Sequence, residues 1–599
     1  MDLLALNEDV LRYVFAHLDG HDALNLSLTC RRVHDLAISR VAAVIVCNSA
    51  RDLRSLHAYM LSRSPSAYSP AASDRPLRAR FMERLTVCEP AVDNDPFRTY
   101  IATSSNLDAG YEAQRYLLVD LLAHAPNLQH LGLPVLHPML DCNLPSERLA
   151  EVLRALPRLV SFKGEAVGDT VLALFHSFPG AWKAHLHALE LSYHAHRCFG
   201  AYHVPGEPTT WGPLLDLLSV DTVPALRTLT LHFFDPPVPL SAFRSWHGRG
   251  GAPHSEPRAP TAFTQLRALH LKSVGRAAVD LVQLCPNVED LYVSIVGPFP
   301  GTADQWEVDG RPPAQGARWH RLRRLGLGSI TDVMFVRDLV GGADYLRIDE
   351  SVQVSESCWM SGFEGELALN TATLLSAVGR ARPARMYVAL EVDGDLVKFW
   401  RELAVLAPGL RFLELRLKTL APVLPAFSGW LDKVPEALSI VTSLVALRIL
   451  LPRMAEMSPR HRHTKHALVR QLERERARNA AALPQRLVNA LPGLRIVGLC
   501  ESGKSELWGQ KVVGEDDDVE DDGGEEELFE LYERDPERPY RKLDDFRDMG
   551  TVRYSKWWRV KSCQGGSAER SLDEMPRAES TRLEYYMDAG DWESFALMY

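Results

Sequence analysis

The sequence predicts an α/β chain in which three short N-terminal helices precede an irregular solenoid of helix-and-strand units with parallel strands. Three observations predict this class. Apolar residues between positions 6 and 18 recur every three or four residues, and a phrase close to L-x-x-L-x-L recurs nine times from Leu128 onward. Most copies follow a stretch with helical periodicity that often ends at a proline, which stops a helix.

The N-terminal segment has the spacing of an amphipathic helix followed by two further short helices. Asp22 can cap the second helix, which carries Leu24 and Leu28, and a third follows Thr29. Three short helices bury little apolar surface by themselves, so the module is expected to keep some for a partner. The apolar positions of the first helix are Leu6, Val10, Leu11, Val14, Phe15 and Leu18.

These residues, with Asn7-Glu8 and the stretch "SLTCRRVHDLA", resemble the F-box family. The resemblance implies docking onto the Skp-type adaptor of a cullin-based SCF ubiquitin ligase, with the chain acting as a non-catalytic substrate receptor. Asn7 stands where the family usually has proline. The alternative is a three-helix cap on a repeat protein without a ligase role. The adaptor contacts that the resemblance implies are Leu6, Asn7, Val10, Leu11, Val14, Phe15, Leu18, Leu24, Leu28 and Cys30.

The repeated phrase predicts strands that bury one face. Copies include "PNLQHLGL", "PALRTLTL", "PGLRFLEL" and "PGLRIVGL". Each unit is too small to fold alone, so neighbours are expected to stack into one core. The pattern resembles leucine-rich repeats, although the spacing drifts from about 22 to about 50 residues and the usual asparagine is mostly missing. Unrelated helix-strand units are the alternative, and they also give an α/β fold.

Residues between the buried leucines point outward in this scheme and are the expected protein-target face. They mix acidic, basic and aromatic side chains, which suits a protein surface better than phosphate. A register error of one residue would invert the assignment in any single repeat. The expected target-binding residues are Thr228, Thr230, His232, His270, Lys272, Asp290, Tyr292, Ser294, Glu414, Arg416 and Arg448.

Composition divides the chain into five predicted regions. They are an F-box-like module at 1–45, a connecting helix/strand region with a Pro/Ser-rich insertion at 46–125, the repeat at 126–505, an acidic disordered linker at 506–527 and an aromatic-rich segment at 528–599 that caps the last repeat or forms a tail. Insertions rich in Pro, Gly and Ser add candidate partner anchors or are plain decoration. These anchors are Trp246, Trp306 and Trp319.

The stretch "GLCESGKS", Gly498 to Ser505, fits the phosphate-loop pattern G-x-x-x-x-G-K-[ST]. A working loop needs a helix directly after it, whereas here an acidic run follows. The same glycine also belongs to the last copy of the repeat. Nucleotide binding through Lys504 and Ser505 is therefore only an alternative to the repeat.

Other features do not single out a cofactor, nucleic acid or membrane. The formal charge is −10, no apolar run is long enough to span a bilayer, and the acidic start differs from a secretory signal. The nine cysteines form no C-x-x-C pair, which favours reduced thiols in the cytoplasm or nucleus. Two weaker candidates are a zinc site and a basic helix that contacts nucleic acid or pairs with the acidic run. Their histidines are His185, His187, His194, His196 and His203 with Cys198, and His461, His463 and His466.

Overall fold

The chain forms two compact units, Met1–Ala317 and Arg318–Tyr599, in a computed structural model. The boundary falls inside the region at 126–505 that the sequence predicts as one repeat. The residues that the structure describes are 7–18, 20–62, 77–88, 109–134, 145–165, 167–177, 183–193, 210–219, 222–236, 240, 262–295, 319, 322–336, 341–355, 364–393, 397–418, 433–451, 481–501, 554–562, 570–576 and 579–584.

The first unit begins with three helices: α1 at Glu8–Ala16, α2 at Gly20–Ser27 and α3 at Arg31–Val41. The N–H of Leu11 donates to the backbone carbonyl of Asn7 at 3.0 Å, so α1 starts directly after Asn7. Arg40 Nε donates to the Leu18 carbonyl at 2.6 Å and ties α3 to the chain just after α1.

Eight strands follow in the first unit, and each pairs in parallel with the next in sequence order. They are β1 (Val44–Cys47), β2 (Arg84–Val87), β3 (His130–Leu133), β4 (Ser161–Gly164), β5 (Ala188–Ser192), β6 (Thr228–His232), β7 (Ala268–Val274) and β8 (Asp290–Ile295). Helical segments lie between them at Ala50–Leu61, Arg78–Phe81, Ala109–Ala123, Pro145–Ala155, Asp169–Ser177, Lys183–His185, Trp211–Leu218 and Arg276–Leu284.

The second unit also pairs its strands in sequence order, in parallel from β9 to β14 and antiparallel from β14 to β16. These strands are β9 (Leu322–Leu327), β10 (Ala343–Ser355), β11 (Arg385–Asp393), β12 (Phe412–Lys418), β13 (Ala446–Leu451), β14 (Ile496–Glu501), β15 (Tyr554–Ser562) and β16 (Arg570–Glu574). Its helical segments are Ile330–Asp332, Val333–Val336, Glu364–Ala381, Val397–Leu406, 433–438, 481–490 and 579–584.

Leucines in register form the core of the strand array. Leu189, Leu229, Leu269 and Leu291 are direct cross-strand neighbours in β5 to β8, and all are buried. A parallel strand cannot bury this row without its neighbours, so each repeat stabilises the next.

The predicted mixture of helices with a parallel sheet is confirmed, and all nine copies of the repeated phrase contain a strand. Strands β1, β2, β4, β10, β11, β15 and β16 lie outside those copies. The strand array of the first unit therefore starts at Val44, and the predicted connecting region at 46–125 contains β2 and several helices.

Candidate functional site

The three N-terminal helices hold a small apolar core. Leu11 and Phe15 of α1 pack against Val33 and Ala37 of α3, and all four side chains are buried. The partly buried hydrophobic residues around this core are Leu18, Leu26, Cys30 and Val41. Ala23 of α2 and Ile38 of α3 are buried as well, outside this cluster.

Among the described side chains of the module, four large apolar ones are exposed, two on α1, one on α2 and one directly after α2, and we call them the apolar patch. Leu28 is 75% exposed and Tyr13 is 68% exposed, while Val10 and Leu24 exceed 40%. Large exposed apolar surface is a feature of interaction sites in soluble proteins. Tyr13 was not among the predicted contacts, although Val10, Tyr13 and His17 follow helical spacing and the Tyr13 and His17 rings lie 4.6 Å apart.

The structure separates the predicted adaptor contacts into three groups. Val10, Leu24 and Leu28 belong to the apolar patch, and Asn7, which directly precedes α1, is also exposed. Leu11 and Phe15 lie inside the module, where they hold α1 against α3. Leu6 lies outside the described residues, and the remaining predicted contacts, Val14, Leu18 and Cys30, are half-buried.

The outward side of β4 to β8 carries polar side chains, and we call it the first face. Lys163, Glu190, Thr230, His270 and Tyr292 are successive cross-strand neighbours. Leucine and valine alternate with them and are buried, as the repeat predicts. Thr230 is buried, whereas the other predicted members of this face are half-buried, namely Thr228, His232, Lys272, Asp290 and Ser294.

Ion pairs organise the first face around Glu190. Its Oε1 lies 3.2 Å from His232 Nε2 and 3.4 Å from Lys163 Nζ. His270 Nε2 lies 3.5 Å from the Asp290 carboxylate. The hydrogen bond from His232, together with the charge of Lys163, lowers the pKa of Glu190 from 4.5 to about 2, against the opposing effect of burial.

We expect Glu190→Gln to lower the stability of the first unit by up to about 1 kcal/mol at pH 7, because the carboxylate is a third exposed. A carboxylate whose pKa is lower in the folded chain than in the unfolded chain stabilises the fold at pH values above its unfolded pKa. The difference in unfolding free energy between wild type and variant should therefore be largest above pH 4.5 and shrink as the pH falls toward 2. Urea unfolding between pH 2 and pH 7 measures it. Glu165→Gln, which removes only a contact to Lys163, is the control. A difference that stays constant down to pH 2 would contradict the assignment.

The predicted target-binding positions of β12 and β13 are not an open surface. We call the outward side of β11 to β14 the second face, and it holds a hydrophobic core of its own. Glu414 and Arg448, two of the predicted target-binding residues, are buried there, so neither side chain is open to solvent in this structure. Arg416 is half-buried. The core residues of this face are Tyr387, Phe412, Ala446, Leu450, Ile496, Cys500, Trp557, Met575 and Leu583.

The second face is covered by the end of the chain. β15 extends the sheet beyond β14, and its Trp557 lies opposite Gly498 and is fully buried. Leu583, in the helix at 579–584, joins the same core. Sequence reasoning expected an aromatic cap on the last repeat but gave no sign that the cap reaches the outward positions of β12 and β13.

The start of the phosphate-loop match lies inside a strand. Gly498 is in the middle of β14 and pairs with Arg448 on one side and Trp557 on the other. A phosphate-binding loop needs its first glycine in the turn after a strand, where backbone N–H groups are free for phosphate. Lys504 and Ser505 lie outside the described residues. The position of Gly498 therefore favours the repeat over the nucleotide site.

We expect Gly498→Ala to destabilise the second unit by about 1–3 kcal/mol, because overpacking a filled core costs about that much. An ideal Cβ at this position would lie 2.5 Å from Trp557 Cζ3. The penalty should largely vanish in a Trp557→Ala background, which a double-mutant cycle of denaturation measures. Gly409→Ala, whose Cβ meets nothing within 4 Å, is the control. Equal penalties in both backgrounds would show that the Trp557 contact is not the cause.

The remaining candidates gain no support from the described residues. His185 and His187 lie beside β5, and no group of three or more His, Cys, Asp or Glu side chains suited to a metal occurs in the described ranges. Trp319 is buried, so it belongs to the core and is not a free anchor. No described helix is long and apolar enough to cross a membrane. Outside the described residues lie Trp246, Trp306, His194, His196, Cys198, His203, His461, His463 and His466.

Comparisons with known proteins agree with the geometry of the N-terminal module. No curated protein matches the chain. Residues 3–40 match the family model of the F-box domain, and this range contains α1 and α2 and nearly all of α3. The predicted F-box resemblance is thereby confirmed: the N-terminal helical module of this chain is an F-box domain.

Proposed function

We propose that this chain is the substrate-recognition subunit of an SCF-type ubiquitin ligase. An F-box domain implies an adaptor-type role, since F-box domains bind Skp-type adaptors. The observation that carries the proposal is the apolar patch of Val10, Tyr13, Leu24 and Leu28, which the module leaves uncovered on its own surface. A partner that buries these side chains gains about 1.5–3 kcal/mol for each large one.

The rest of the chain binds the protein target in this proposal, through a leucine-rich-repeat-like solenoid. The first face supports this role because its side chains are partly exposed, mixed in charge and arranged in rows by the strand register. Lys163, His232, His270, Asp290 and Tyr292 give it hydrogen-bond donors, acceptors and an aromatic ring. Such mixed rims with aromatic anchors are typical of protein interfaces.

The chain itself performs no chemistry in this scheme. Its contribution is positional, since the N-terminal module binds the adaptor and the first face holds a target near a ubiquitin-conjugating enzyme. Proximity of this kind raises the local concentration of target lysines at the enzyme. The cullin and the conjugating enzyme are therefore proposed partners, and the cytoplasm or nucleus is the proposed location.

Reconstitution tests the ligase role. The purified full chain is mixed with recombinant Skp-type adaptor and cullin and analysed by size-exclusion chromatography. Co-elution of all three in a fixed ratio supports the proposal. If the chain elutes alone at micromolar adaptor while circular dichroism shows that it is folded, the result favours the alternative of a protein-interaction scaffold without a ligase role.

A second experiment tests the first face. We expect the double variant His270→Ala/Tyr292→Ala to lose ubiquitinated targets that wild type enriches from cells, while adaptor binding stays unchanged. The control is Tyr116→Ala, which removes an exposed tyrosine from the helix Ala109–Ala123. If the double variant and the control enrich the same targets to the same extent, the first face is not the target site.

A further inference from the structure

The second face has an occupant supplied by the chain itself, the helix at 579–584. Glu584 Oε1 accepts a hydrogen bond from Trp557 Nε1 at 3.0 Å and lies 3.8 Å from Arg448 Nη2. Leu583 is fully buried in the core of that face. At the start of the helix, Glu579 forms an ion pair with Arg559 of β15. One aliphatic and two acidic side chains of this helix therefore contact β15 and the second face.

The face beneath the helix is built to receive a negative charge. Arg448 is fully buried, and its Nη1 lies 3.3 Å from Glu414 Oε1. Its Nε donates to Cys500 Sγ at 3.3 Å. Burial raises the pKa of Cys500 to about 11, so this thiol is neutral at pH 7. Carboxylates are therefore the groups that balance the guanidinium charge, and Glu584 is one that the terminal helix supplies.

The helix at 579–584 docks on the second face through side-chain contacts, namely the burial of Leu583 and the bonds of Glu579 and Glu584. By contrast, β13 and β14 beneath it are paired on both sides. Segments with few buried contacts open at lower free energy than a core sheet.

We propose that the second face is a peptide-binding surface that the helix at 579–584 occupies in cis, and that a protein segment with the same chemistry displaces it. The displacing segment is an amphipathic turn with an aliphatic residue followed directly by an acidic one, as in Leu583-Glu584, and a second acid one turn earlier, as in Glu579. The buried Arg448 selects for the acid, and the apolar core selects for the aliphatic residue. This inference does not depend on adaptor binding by the F-box domain.

Binding of a labelled peptide in trans tests the proposal. The probe is a fluorescent peptide of residues 576–590, and fluorescence polarisation measures its affinity for the full chain. We expect the double variant Leu583→Ala/Glu584→Gln, whose own helix is weakened, to bind it at least 10-fold more tightly than wild type. The same peptide with both substitutions should not bind. Glu574→Gln, which neutralises an exposed acid on β16, is the matched control chain and should behave as wild type.

Two outcomes would overturn the proposal. A folded double variant that takes up no peptide would show that the helix is a fixed structural cap. If the double variant does not fold, hydrogen exchange on the wild-type chain tests whether the helix leaves the face. Amides of 581–584 that exchange at least 100-fold faster than those of β13 and β14 support an exchangeable helix, and equal protection refutes it.

Discussion

The double variant Leu24→Asp/Leu28→Asp should bind a Skp-type adaptor at least about 100-fold more weakly than wild type, if the proposed function is correct. Each buried leucine contributes about 1.5–3 kcal/mol to an apolar contact, and a buried carboxylate without a partner adds a further cost. A loss of about 2.8 kcal/mol is a factor of about 100 in Kd. Isothermal titration of the full chain with purified adaptor measures the change.

Val405→Asp is a matched control for that experiment. Val405 is 74% exposed, as Leu28 is 75% exposed, but it lies in the helix Val397–Leu406 of the second unit. The control should leave adaptor affinity unchanged. Both variants should also unfold as wild type does, since exposed side chains contribute little to the core. Equal adaptor affinity for wild type and the double variant would remove the apolar patch from the interface.

The variant Trp557→Ala should lose about 3–5 kcal/mol of stability in the second unit, the usual cost of truncating a large aromatic residue in a core. Trp557 is fully buried, fills the space above Gly498 and donates a hydrogen bond to Glu584. Its loss creates a cavity over the second face and removes one contact of the terminal helix. Hydrogen exchange of the β13 and β14 amides measures the local opening free energy.

The neighbouring residue provides the control for this change. Trp558 is half-buried on the same strand, and successive side chains of a strand point to opposite faces. Trp558→Ala should therefore cost clearly less than Trp557→Ala. Similar losses at both positions would show that the effect belongs to strand β15 in general and not to the core of the second face.

The F-box helices could be predicted because their signal is local. The spacing of Leu11 and Phe15 within α1 fixes which stripe is apolar, and the stripe is buried as the period requires. The same periodicity does not show which apolar residues remain exposed to solvent. Val10 and Leu11 are adjacent and similar, but only the packing of α3 against α1 buries Leu11 and leaves Val10 exposed.

The strands were predicted where leucines repeat at close spacing and missed where they do not. The strand β4 has Phe162 as its one large apolar residue, and β1 has valines that are exposed at Val44 and Val46. A short strand with one or two apolar residues looks like a loop in isolation. Its assignment depends on the parallel neighbour that supplies hydrogen bonds and register.

The sequence alone determined the F-box module and the order and direction of most strands. It could do so because the periodicity of apolar residues is a local feature of the sequence. Tertiary structure decided which outward positions are open. Thr228, His270 and Tyr292 remain partly exposed, whereas Glu414 and Arg448 are covered by side chains from the far end of the chain. The sequence around Arg448 does not predict its contacts with Trp557 and Glu584. Burial by a distant segment depends on the path of the whole chain.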